Sequence, residues 1–262
     1  MSVAPSKRLA GKIALVTGAS GVIGREIALA AAREGAAIIA HVHTSGAAGP
    51  LCRELRETGV EAWAIEADFR DPDVADLLFE KALGRCGNID LLVNSASIFA
   101  ESTLQNVTWA DMHDAMLVNT WAPFALCRGL SRLGGSGRGA KAVVNLLDSR
   151  IVGGDAQHAG YIMSKHLLAK LTRMLAMAFA PALRVNAVAP GLIAEGDTGG
   201  GGRPCEAAKN LPLGRAGHPR EVADAVIFLL QSESITGQVV YVDGGRHVRE
   251  RAPRSHRRPL DR

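Results

Sequence analysis

The stretch Lys12-Ile13-Ala14-Leu15-Val16-Thr17-Gly18-Ala19-Ser20-Gly21-Val22-Ile23-Gly24 decides the fold. Lys12–Thr17 is an apolar run too short for a helix and long enough for a buried strand. Glycines break it at Gly18-Ala19-Ser20-Gly21, and an alanine-rich pattern at helical spacing follows from about Ile23 to Arg33, with Gly35 placed to end it. A strand, a glycine turn and a helix in that order bring free backbone N–H groups and a helix dipole close to a ligand. That arrangement suits the pyrophosphate of a dinucleotide. A glycine string alone says little, because turns use glycine anyway; its place after a first strand gives it weight.

The pattern repeats along the chain. Strands are expected at Ala36–Val42, at Glu61–Ala67 (a run ending at Asp68), at Ile89–Asn94, Ala142–Leu147 and Leu183–Ala189, and finally in GQVVYVD. Helices are expected near Ala47–Thr58, from about Pro72, over Trp109–Leu133, over Tyr161–Ala178 and near Arg220–Leu230. Pro190-Gly191 should stop the sixth strand, and Gly196–Arg203, with four consecutive glycines, should be an irregular loop. Strands alternating with helices predict an α/β fold: a single-domain, Rossmann-type, doubly wound parallel sheet of about seven strands flanked by helices. Residues 1–245 form this domain, with no linker dividing it.

Composition agrees. The 262 residues are 47% hydrophobic but only 4% aromatic, so the core is Ala, Val, Leu and Ile, which suits helices packed closely on a parallel sheet. No stretch of about 18 apolar residues exists to span a membrane, and the Met1 end carries no signal-peptide pattern. A cytoplasmic protein is the expectation. Cys52, Cys86, Cys127 and Cys205 lie 34, 41 and 78 residues apart, a spacing that signals neither a metal site nor a redox pair, so four buried thiols are expected. The net charge of +4 is local: residues 246–262 hold seven arginines against Glu250 and Asp261, leaving −1 for the other 245 residues. A basic, flexible tail accounts for it better than a nucleic-acid partner does.

Residues at the strand ends are the candidates for a dinucleotide site. Gly18, Ser20, Val22, Ile23 and Gly24 form the first turn; Asp68 and Phe69 follow strand three; Asn94, Ser95 and Ala96 end strand four at the topological switch point. Asp68 could accept from an adenine amino group or cap the next helix. Strand two ends in His41-Val42-His43-Thr44-Ser45, without the carboxylate that would repel a 2′-phosphate, so His43, Thr44 and Ser45 point to NADPH rather than NADH. Lys165 lies four residues after Tyr161, on the same helical face, where its ammonium would lower the tyrosine pKa and make it a better proton donor while also reaching ribose hydroxyls, so that Tyr161 and Lys165 count among the cofactor-binding candidates too.

Taken together, the glycine turn, Asn94-Ser95-Ala96-Ser97, Asn119, Tyr161 with Lys165, and Pro190-Gly191 resemble the short-chain dehydrogenase/reductase superfamily, over about Ala10 to Gly245. The resemblance implies that Tyr161, Lys165 and Asn119 are catalytic, with Asn119 holding a water of the proton relay. It implies that Pro190, Gly191 and Ile193 help to hold the cofactor. The usual member has serine thirteen residues before the tyrosine; here that position is Asp148. Ser149 is adjacent, but a shift of one residue at a strand end turns a side chain elsewhere. Aspartate at this position resembles the pteridine reductases and the related dihydromonapterin and dihydrofolate reductases. By that likeness Ser97 and Phe99 would contact a pterin, Phe99 would stack on it, and Asp148 with Tyr161 would protonate ring nitrogens. Val22 stands where pteridine reductases carry an arginine. The resemblance also implies a homo-oligomer, tetramer or dimer, with Arg246 or Arg249 approaching a neighbouring subunit's substrate, and with Gly196–Arg203 closing over it. A carbonyl or alcohol oxidoreductase with an atypical aspartate is the alternative, and a non-catalytic NADP(H)-binding sensor a third reading.

Overall fold

Seven parallel strands form one sheet in the order β3-β2-β1-β4-β5-β6-β7, in a computed structural model that describes residues 7–134, 140–194 and 206–251. The strands are β1 Ile13–Thr17, β2 Ala37–Val42, β3 Ala62–Glu66, β4 Leu91–Asn94, β5 Lys141–Leu146, β6 Leu183–Pro190 and β7 Val239–Val242. The helices are α1 Val22–Arg33, α2 Ala48–Glu57, α3 Val74–Cys86, α4 Trp109–Met116, α5 Ala122–Arg132, α6 Ala159–Ala178, α7 Glu206–Lys209, α8 Pro219–Gln231 and α9 Arg246–Arg251.

The central strands read as continuous apolar runs because both of their faces are covered. Leu15, Val16, Leu92, Val93, Val143 and Val144 are all fully buried. One core joins the sheet to α1, α2 and α8, and the other joins it to α3, α5 and the end of α6. Gly35 ends α1 as expected; its φ of +91° is a left-handed turn that other residues adopt only with strain. The strand order reverses between β1 and β4, so the crevice of a doubly wound sheet opens at the C-terminal ends of those two strands.

Three expectations are corrected. The single helix over Trp109–Leu133 is interrupted: a π turn at Leu117–Trp121, in which the Ala122 N–H donates to the Leu117 carbonyl, separates α4 from α5. Pro190 does not stop β6 but forms its last residue, where a missing N–H costs little. The basic tail begins as helix α9, which docks through the His247 ring stacked 4.0 Å from Tyr241 and bonded to Asp243. The rest of the tail, Cys205 and Gly196–Arg203 lie outside the described residues. Cys52 and Cys127 are buried as expected, while Cys86 is only half-buried.

Candidate active site

The glycine turn is built by close approach. Gly18 has φ +63°, and a Cβ there would stand 2.7 Å from Ala96 Cα; a Cβ on Gly24 would stand 2.2 Å from the Gly18 carbonyl oxygen. Two residues not singled out by sequence hold this turn. The Thr17 hydroxyl accepts from the Ser95 and Ala96 N–H groups at 3.0 and 3.1 Å, tying β1 to the end of β4. His41 accepts from the Gly18 N–H through Nδ1 at 3.1 Å, and its Nε2 lies 3.1 Å from the Ala67 carbonyl, an arrangement of the neutral ring. Burial pushes this imidazole down to about 4, so it stays neutral near neutral pH. The first turn of α1 carries no acidic residue and no side-chain cap, which leaves its N–H groups for an anion.

A cavity of about 540 Å³ opens beside that turn, lined by Gly18, Ser20, His43, Asp68 and Ser95 among others. Phe69, Ala96 and Ser97 line it too, but the Phe69 ring is buried against His41, 4.3 Å away. Asp68 neither caps a helix nor stands free. Arg70 grips it at 2.7–3.1 Å and holds its carboxyl below the usual carboxylate range, and His43 lies 4.0 Å away. Arg70 lines the same cavity and is a residue the sequence reading missed. Val22, Ile23, Gly24, Thr44, Asn94, Pro190, Gly191 and Ile193 do not line it. Asn94 is buried, its amide donating to Asn145 at 2.8 Å, so it clamps β4 to β5. The Ser45 side chain lies outside the described residues.

The second half of the site gathers around Tyr161. Its hydroxyl donates to Asp148 Oδ2 at 2.8 Å. Burial, then the charge of Asp148 and this hydrogen bond, push the phenol well above its ordinary value. The Lys165 ammonium donates to the Leu146 carbonyl at 2.8 Å and stands 5.7 Å from the Tyr161 ring centre. Burial alone would raise Asp148, but Arg150 outweighs it by hydrogen bonds and charge and holds that carboxyl below its usual range. Asp148 is thus an anion here, and the proton of the pair belongs to Tyr161. Ser149 is fully buried, and its hydroxyl has no hydrogen-bond partner among the described residues.

Phe99 stacks on His158 at 4.1 Å, meets the Tyr161 ring edge-on at 4.7 Å and has the Arg150 guanidinium 4.8 Å from its ring centre, yet 53% of it is exposed. Asn119 sits in the π turn and is wholly buried. Its amide clamps the Ile98 backbone, accepting from its N–H at 2.8 Å and donating to its carbonyl at 3.0 Å, and also donates to the Ser164 hydroxyl. Both of its N–H hydrogens are spent in this way, so Asn119 fixes the segment between Ser97 in the cavity and Phe99 at the tyrosine.

Burial pushes Lys165 down to about 8 from its ordinary 10.5. Between those values the unfolded chain holds the extra proton, so native stability should rise with pH across that window. Cofactor-free wild type should gain up to about 3 kcal/mol on Lys165→Met between pH 8 and pH 10 in urea unfolding. A difference that stays constant with pH would show that Lys165 titrates like a solvated lysine.

The family model described as Enoyl-(Acyl carrier protein) reductase matches residues 18–247. The crystal structure of FolM Alternative dihydrofolate reductase 1 from Brucella canis, complexed with NADP, is 31% identical with a TM-score of 0.83, covering 94% of this chain and 98% of that one. A blue fluorescent protein from a metagenomic library, in complex with NADPH, is 33% identical with a TM-score of 0.82, covering 91% and 98%. The 3-oxoacyl-[acyl-carrier-protein] reductase FabG of Vibrio harveyi is 32% identical over 247 residues, 92% of this chain and 99% of that protein.

Proposed function

Since the chain belongs to the short-chain dehydrogenase/reductase superfamily and is an oxidoreductase of that kind, we propose that it is an NADPH-dependent reductase of a C=N bond in a dihydropterin-like heterocycle. One observation carries the reading: the Tyr161 hydroxyl rests 2.8 Å from an anionic Asp148. An anion beside the reacting atom opposes the alkoxide that forms when a ketone is reduced, whereas it attracts the N–H groups of a heterocycle.

The chain's own groups fit a dinucleotide. The uncapped start of α1 and the Gly18 turn would take the pyrophosphate, and Ser95 and Ala96 would flank the ribose at the switch point. His43 and Arg70, which line the cavity, would hold a 2′-phosphate, since no carboxylate ends β2. Bound NADPH supplies hydride to the carbon of the C=N bond. Tyr161 gives its proton to the nitrogen of that bond, the half-exposed Phe99 offers an apolar contact at the ring's edge, and Lys165 stands behind the tyrosine as a buried cation. A ketone reductase is the second reading, favoured by the comparable identity of the FabG protein.

The test is NADPH oxidation with 7,8-dihydrobiopterin, dihydromonapterin and dihydrofolate, set against a panel of ketones. Wild type should turn over a dihydropterin, and Asp148→Ser should lose that activity by about 100-fold or more. Ketone reduction by wild type without any dihydropterin turnover would overturn the proposal in favour of the second reading.

A further inference from the structure

Arg150 has no part in the chemistry above, yet it touches the groups around the Tyr161 hydroxyl. Its Nη2 and Nε donate to the two oxygens of Asp148 at 2.7 and 3.0 Å, and its backbone N–H donates to Oδ1 at 2.8 Å. Its Nη1 pairs with Asp155, whose Oδ2 also lies 2.8 Å from His158 Nδ1. The guanidinium carbon lies 4.8 Å from the Phe99 ring centre and 5.5 Å from that of Tyr161. Only 18% of the side chain is exposed. A solvated surface pair would be worth little, but a charge pair this far out of water is held in one geometry.

A carboxylate offers about four acceptor positions. Three donors from Arg150 and one from Tyr161 fill those of Asp148, which leaves no place for a proton of its own. We propose that Arg150 is a positioning residue: its grip turns the Asp148 carboxylate onto the Tyr161 hydroxyl and assigns the mobile proton of the pair to Tyr161. A heterocycle N–H donating to Asp148 then takes the place of the Tyr161 hydroxyl, which is released toward the acceptor nitrogen. The other charged or titratable groups of this cluster are Asp155 and His158 before α6, and Lys165 within it. The inference rests on the reductase reading above, with Tyr161 as proton donor.

The experiment uses the cofactor-bound protein labelled with ¹³Cγ aspartate, with Asp148→Asn to assign the resonance, and compares wild type with Arg150→Gln and Arg150→Lys. The Asp148 carboxyl should titrate about 1–3 pH units higher in Arg150→Gln, with Arg150→Lys in between. The acid limb of kcat/KM for 7,8-dihydrobiopterin should move up with it. An unmoved carboxyl titration, or a kcat/KM lowered by one factor at every pH, would reduce Arg150 to a structural tie and overturn the proposal. Activity that climbs as pH falls would make protonated Asp148 the donor and overturn it as well. Failure of wild type to reduce a dihydropterin would sink the substrate reading alone, because the carboxyl titration decides on Arg150 without turnover.

Discussion

Tyr161→Phe should lower kcat by about 10²–10⁴-fold, the usual worth of a positioned proton donor, and leave NADPH affinity unchanged. The size follows from how few donors surround the hydroxyl. Asp148 is an anion, Arg150 spends its nitrogens on Asp148 and Asp155, and Lys165 donates to the Leu146 carbonyl. The substitution removes one hydroxyl and keeps the ring against Phe99, so the fold should hold. Steady-state turnover and fluorescence titration of NADPH separate the two effects. Retention of more than a tenth of wild-type kcat would remove Tyr161 from the proton-donor role.

The largest effect on the cofactor side belongs to Gly24→Ala. Its Cβ would stand 2.2 Å from the Gly18 carbonyl oxygen, 2.8 Å from the Gly18 carbonyl carbon and 3.2 Å from Ala19 Cα. All three are backbone atoms of the turn itself, so no side chain can move aside. Either the turn opens or α1 shifts; overpacking of this kind costs about 1–3 kcal/mol, and here it falls on the surface that would meet the pyrophosphate. The variant should melt several degrees lower and bind NADPH at least about tenfold more weakly. Gly46→Ala, where nothing lies within 4 Å, is the control and should match wild type. A Gly24→Ala protein with unchanged melting and affinity would show that the turn is not the tight cradle described.

The sheet was legible because fully buried parallel strands leave plain apolar runs, such as Ala14–Val16 and Leu91–Val93, between breaks at glycine and polar residues. Tyr161 and Lys165 were legible because helical spacing alone places them on one face. What Asp148 contacts was not. Arg150 reaches back to it only because Asp148 is extended, at φ −149° and ψ 140°, before a short turn, and nothing in the letters Asp-Ser-Arg specifies that bend. The same limit hid Arg70 on Asp68. His41 and His43 stand on the same side of an extended chain, so strand alternation cannot separate them. β2 ends at Val42, which leaves His41 beneath the glycine turn and His43 beyond the sheet at the cavity. Asn119 was picked out by resemblance, but its partner, the Ile98 backbone, depends on a helical irregularity that no periodicity displays.

That irregularity also sets how the segment from Trp109 to Arg132 tolerates change. An α-helix advances about 100° per residue, and the wide turn at Leu117–Trp121 holds one residue more than the helix needs. Everything after it is out of phase with everything before by that angle. Asn119 faces Ile98 while Ala125, Leu126 and Leu130 belong to the core on that side of the sheet. The segment is thus forgiving in identity but strict in number. A conservative replacement at its surface changes a contact, whereas gain or loss of a single residue would rotate one half of the rod away from its seat.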